Sequence, residues 1–365
     1  MNASFIPGRL AATTTLAALS TGGFFALAAP AQASGASTVA LTNGTVTVTG
    51  TAARDLIGIT MNATRVVVDL GLDGTVDAHF ARSQVTAVRV FAGDGDDGVN
   101  LAGAGEVRAT INGGAGRDGI GIVGHIGETG ADDAPTTLNG NGGADDLFVA
   151  TPGQITVHAG AGDDRVEGGG AGIGHETISL GDGNDRFVSS LNAFVGARGD
   201  VVDGGAGQNA MVVNGSFASE SISLSAKAGR LLVEHDLRDF IDADNIQDVS
   251  WFGFGGLDEG GNGDQVLVND LSGTDVTRFT PDFSAPQEAA SPNNSADILA
   301  VRGTAGDDHV AISGSGANIT IAGLTPTVAP VQLNSQDTIR IETVGGQDTV
   351  DTTGLLRGLV HVEVV

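Results

Sequence analysis

Neither cysteine nor tyrosine occurs anywhere in the 365 residues. Without cysteine there are no disulfides and no thiolate chemistry, so bound metal is the remaining cross-link open to the fold. Aromatic residues are 4% of the chain and prolines number only 9. A core that thin and aliphatic suits a stack of repeats better than one large globular centre. Positive charge is also scarce: 17 Lys plus Arg stand against 44 Asp plus Glu, a net charge of -27. Such a balance disfavours nucleic acid and anionic membranes as partners and leaves divalent cations or plain solubility. No segment beyond residue 33 is long and apolar enough to span a bilayer.

What the chain has in quantity is glycine, 58 residues, in a sequence that is 41% apolar with a mean hydropathy of +0.12. That apolar content separates it from a disordered acidic tail. The glycines recur in one frame, G-G-x-G-x-D-x-U-x with U a large apolar residue. AGDGDDGVN at 92 to 100, GGAGRDGIG at 113 to 121, AGAGDDRVE at 159 to 167 and LGDGNDRFV at 180 to 188 follow it. GNGGADDLF at 140 to 148 keeps Gly143 and Asp145, and GGAGQNAMV at 204 to 212 carries Asn209 in the aspartate place.

This frame resembles the repeats-in-toxin, or haemolysin-type, nonapeptide over roughly a third of the chain. The resemblance implies a parallel β-roll in which the carbonyls and aspartates of successive turns hold Ca²⁺ while U packs inside. The metal candidates are then Asp97, Asp118, Asp145, Asp164 and Asp185, with Gly95, Gly116, Gly143, Gly162 and Gly183 shaping the turns. Calcium accepts six to eight oxygens in forgiving geometry, and glycine lets carbonyls converge without an obstructing Cβ. Tight turns favour Gly, Asp and Asn without any metal, which is the competing explanation. The departure from the namesake toxins is the lack of an appended toxin, lipase or protease domain.

The five aspartates are 21, 27, 19 and 21 residues apart. Coils that long hold two strands and two turns, which predicts a single row of calcium-binding turns along one edge of an all-β parallel β-roll or β-solenoid. Adjacent coils about 4.8 Å apart would set metal-free carboxylates repelling by roughly 3 to 4 kcal/mol at an effective dielectric near 20.

A second, longer similarity links GTAARDLIGIT at 50, GSFASESISLS at 215 and GTAGDDHVAIS at 303, each with an acid before alternating apolar residues. Their continuations align Asp97, Asp264 and Asp348. Asp264, Asp308 and Asp348 are weaker metal candidates, because their turns lose or shift a glycine, and Asn209, which keeps an oxygen but no charge, reads as a failed or weak ligand marking the end of the row. Alternation marks strands at 45 to 50, 65 to 70, 319 to 324 and 360 to 365. The stretch 277 to 296, with three prolines and many small polar residues, reads as an exposed excursion or hinge.

Residues 1 to 33 combine Arg9, an apolar Thr-rich stretch and Ala31-Gln32-Ala33 before Ser34, the pattern of a secretory signal cleaved after Ala33. The remaining chain divides into a flanking solenoid unit (34–104), the nonapeptide core (105–212), a degenerate unit (213–299) and a C-terminal unit (300–365), read as one continuous solenoid. Export agrees with calcium, since weak sites fill where the ion is plentiful.

Catalytic patterns are poor. His175-Glu176 opens like H-E-x-x-H, but Ser179 stands where the second histidine belongs. Acid pairs such as Asp96–Asp97 and Asp163–Asp164 already belong to repeat turns. His79, His125, His158 and His309 are scattered singly, and Trp251 with Phe252 and Phe254 reads as interior filling in preference to a sugar platform. The leading expectation is a secreted calcium-binding structural or adhesive solenoid with a cell-surface or matrix partner. Behind it stand a calcium-stabilised carbohydrate-active enzyme and a calcium-independent surface protein. A final strand without a visible cap also raises end-to-end self-association.

Overall fold

A computed structural model describes residues 36–104, 107–124, 134–150, 153–168, 176–190, 199–215, 219–235, 239–253, 262–284, 295–315 and 318–365. The expected export signal and His125, His175 and Phe254 lie outside the described residues. Residues 31–365 group as one compact unit. Its described elements are strands, with one short 3₁₀ turn at Arg82–Gln84. The strands form two fifteen-stranded sheets in which parallel pairing dominates. The fold is a parallel β-solenoid, in agreement with the sequence.

One central coil shows how the chain winds. Thr136–Gly142 lies in the first sheet, a glycine-rich turn follows, Asp146–Ala150 lies in the second sheet, and the chain returns as Ile155–Ala161 beside its starting strand. Alternation places one face of each strand inside. In the second sheet, Val99, Ile120, Leu147, Val166, Phe187, Met211, Val249 and Phe279 stand in register as a single apolar column. None of the eight is more than 1% exposed. The first five are the U residues of the nonapeptide, each contributing about 1.5–3 kcal/mol by burial. Trp251 is fully buried and meets Phe283 edge-on, with ring centroids 5.6 Å apart, so it fills the interior.

Three antiparallel meanders interrupt the parallel winding. They run through Leu56–Met61, Arg65–Leu70 and Ala78–Ala81; through Ser221–Lys227, Arg230–His235 and Asp239–Asp244; and through His309–Ser315, Asn318–Ala322 and Thr327–Val328. The first strand of each begins within one of the three similar stretches, at 50, 215 and 303. Periodicity identified Arg65–Leu70 and Asn318–Ala322 as strands but carried no sign of their direction, because hairpin partners and coil neighbours alternate alike.

Two expectations are corrected. Arg278–Asp282, inside the supposed excursion, is a strand whose Phe279 is fully buried, as is Phe283 just beyond it. Its apolar alternation outweighs Pro281. The stretch at 215 also sits on the other side of the solenoid from those at 50 and 303. It follows a second-sheet strand, Ala210–Asn214, and enters a first-sheet one, whereas the other two lead from the first sheet to the second. The same local unit is used half a coil out of step.

Candidate metal centre

All five nonapeptide turns lie on the edge that leads from the first sheet to the second. Gly143 shows why the frame needs glycine: its φ is +134°, and a Cβ there would stand 1.8 Å from the carbonyl oxygen of Gly116 in the preceding coil. Gly95, Gly116, Gly162 and Gly183 share the positive φ and stack in the same column. Coil-to-coil packing thus fixes these glycines before any ligand is considered.

The aspartates form a second column, inside the turn. Asp97, Asp118, Asp145, Asp164 and Asp185 are each at most 2% exposed. Oδ1 of each accepts the backbone N–H of the acid one coil earlier. Asp55 N–H donates to Asp97 at 2.7 Å, Asp97 to Asp118 at 2.9 Å, and Asp118 to Asp145 at 2.8 Å. Asp145 then donates to Asp164 and Asp164 to Asp185, each at 2.8 Å. The ladder continues through amides, with Asp185 N–H donating to Asn209 Oδ1 at 3.0 Å and Asn209 N–H to Gln247 Oε1 at 2.7 Å. One oxygen of every motif aspartate is therefore committed to the backbone.

The other oxygen is not. Oδ2 of Asp97, Asp118, Asp145, Asp164 and Asp185 is buried and has no hydrogen-bond partner among the described residues. These five are the aspartates the nonapeptide frame singles out. Burial is the main force on their acidity, pushing Asp97 up to about 6 and Asp118 and Asp164 up to about 7, against the lowering effect of the ladder N–H. Neighbouring carboxylates raise these three further, and Asp145 and Asp185 are also raised, first by burial. Leaving a buried acceptor unsatisfied costs about 1–3 kcal/mol, more if it is charged.

A separate, outward column has the reverse polarity. Arg117 N–H donates back to Asp96 Oδ1 at 2.9 Å and Asn184 N–H to Asp163 Oδ1 at 2.8 Å. The adjacent acids Asp96–Asp97 and Asp163–Asp164 thus divide between outer and inner ladders, and within each pair both carboxylates receive a backbone N–H. That use accounts for the pairs without general acid–base chemistry.

The weaker candidates fall elsewhere. Asp308 is on the glycine edge and donates its N–H to Asp348 Oδ1 at 2.9 Å, but its own Oδ2 accepts Thr304 N–H at 2.7 Å. Asp55 is held alike, by Thr51 N–H on Oδ2 and Ser37 Oγ on Oδ1. Asp264 is on the opposite edge, at a strand of the first sheet, so its alignment with Asp97 and Asp348 holds for the local unit and not for the row. Acids therefore line both edges. Glu220 N–H donates to Asp264, Asp264 to Asp297 and Asp297 to Asp337, at 3.0, 2.8 and 3.0 Å. Glu176 N–H likewise donates to Asp200 Oδ1 at 3.1 Å. Sequence reading missed Asp200, Asp297 and Asp337 because no glycine frame surrounds them. The available signal was an acid at the very start of a strand.

Among the described residues no cluster of three or more His, Cys, Asp or Glu side chains could hold a metal. The turns instead offer one spare carboxylate oxygen per coil amid main-chain carbonyls, an all-oxygen donor set of the kind hard cations take. No protein-family model, curated protein or solved structure matches the chain.

Proposed function

We propose that the turns at Asp97, Asp118, Asp145, Asp164 and Asp185 bind Ca²⁺, and that the protein is a secreted structural or adhesive solenoid braced by it. The supporting observation is the repeated unpartnered Oδ2, buried five times in one column. A bound divalent cation would supply positive charge to that column and a partner for oxygens that otherwise have none. Each aspartate holds the preceding turn by Oδ1 and keeps Oδ2 for the ion, while the stacked glycines bring main-chain carbonyls close. The likeness of the frame to haemolysin-type repeats points the same way, and the N-terminal pattern ending at Ala33 supports export.

The raised pKa values favour a second reading, in which the column holds protons in place of cations. Calorimetric titration of Ca²⁺ into demetallated full-length protein at pH 7.5, with Mg²⁺ as control, separates the two. Heat saturating at about one ion per motif turn, together with a gain of β signal in circular dichroism, is expected. Absence of both at millimolar calcium would leave the proton reading.

A further inference from the structure

We infer that Asn209 is a cation-independent cap that ends the row, so that removing calcium loosens only the coils before it. This rests on the calcium reading and deepens it. Two glycines provide a common reference. From the point where a Cβ on Gly140 would sit, Asp145 Oδ2 lies at 2.4 Å and Ala159 O of the next coil at 2.3 Å. From the equivalent point on Gly204, Asn209 Nδ2 lies at 2.7 Å and Asn245 O at 2.2 Å. The surroundings match, but the chemistry differs by one group.

At Asp145 a carboxylate oxygen and a main-chain carbonyl oxygen crowd the same spot, and neither carries a donor as an ionised carboxylate. At Asn209 the amide donates, Nδ2 to Asn245 O at 3.0 Å, while Oδ1 still receives Asp185 N–H. Asn209 therefore performs both halves of the task by itself: it continues the ladder and answers the next coil's carbonyl. Gln247 extends the ladder by one further amide. The turn before Asp97 is satisfied without a cation as well, through Thr51 on Asp55. The cation-dependent cassette is thus bounded on both sides by turns that close on their own side chains.

The test is Asn209→Asp in the full-length chain, with thermal melts and hydrogen exchange in chelator and in calcium. Aspartate keeps the acceptor for Asp185 but replaces the donor with a buried carboxylate oxygen. In chelator the variant should melt about 5 °C or more below the parent, with faster exchange at 200–214, and calcium should restore it. In the parent, chelator should speed exchange across 98–188 and leave 239–252 protected. If N209D melts lower and calcium neither restores it nor stabilises the parent, the cap stands and calcium binding is refuted. If N209D melts like the parent in chelator, the cap is wrong. Equal loss of protection over 98–188 and 239–252 in the parent also overturns it.

Discussion

Asp145 Oδ2 and the carbonyl oxygen of Ala159 converge on the same side of Gly140, acceptor beside acceptor, with only a glycine's missing Cβ making room for both. That relationship separates two roles of one side chain. Asp145→Asn should preserve the bond from Asp118 N–H and add a donor toward Ala159 O, as Asn209 has toward Asn245 O. In chelator it should be at least as stable as the parent, while calcium stabilises it less. Asp145→Ala loses the ladder acceptor too and should fall by about 1–3 kcal/mol in chelator and by more in calcium. Denaturant titrations of the three proteins with and without calcium check this, and equal calcium gains in all three would remove Asp145 from the site.

The acidities set a pH dependence whose sign differs with and without metal. For Asp118 and Asp164 the folded value is raised from 3.8 to about 7, so the metal-free fold binds protons more tightly than the unfolded chain. Their contribution is fully present below about 4 and is lost as pH rises through 7. In chelator the melting temperature should fall from pH 5 to pH 8. With calcium the trend should invert, because the ion takes the deprotonated carboxylate. A flat profile in chelator would mean these carboxyls find a partner on folding.

The glycine frame made the five central turns legible, because close stacking of turn on turn admits no side chain at Gly116, Gly143 or Gly162. It also located the inward apolar column from Val99 to Phe187. The ladder was not legible. Nothing in a G-x-G-x-D string says that Oδ1 is consumed by the backbone of the coil before, and that is what makes Oδ2 the distinctive atom. The opposite edge stayed hidden for a related reason. Asp297 and Asp337 do the same backbone work at strand starts without glycine, and an acid there is too common to stand out. The half-coil offset of 215 to 225 was invisible because the unit is locally the same on either edge.

Asp308 tests whether the ladder and the cation row are separable. Its Oδ2 is engaged by Thr304 N–H at 2.7 Å, and Thr304 Oγ1 donates to Oδ1 at 3.0 Å. Asp308→Asn should leave the number of calcium ions per chain unchanged in calorimetry, while Asp164→Asn lowers it. Loss of an ion on changing Asp308 would extend the row into the C-terminal unit.

Adjacent glycines offer a test of the turn geometry that needs no metal. A Cβ on Gly142 would meet nothing within 4 Å, whereas one on Gly143 would stand 1.8 Å from Gly116 O at a φ of +134°. Gly142→Ala should change stability by no more than about 0.5 kcal/mol. Gly143→Ala must either push the coil below away or rotate its own backbone, at a cost of about 3 kcal/mol or more. The damage should also reach beyond one turn. Displacing Gly143 moves the frame that holds Asp145, so Asp118 N–H loses its acceptor and the glycine carbonyls no longer stack. Urea denaturation in chelator isolates the packing cost, and calcium titration of the same variant measures the lost site. Equal stability of the two alanine variants would mean that the coils are farther apart than this stacking requires.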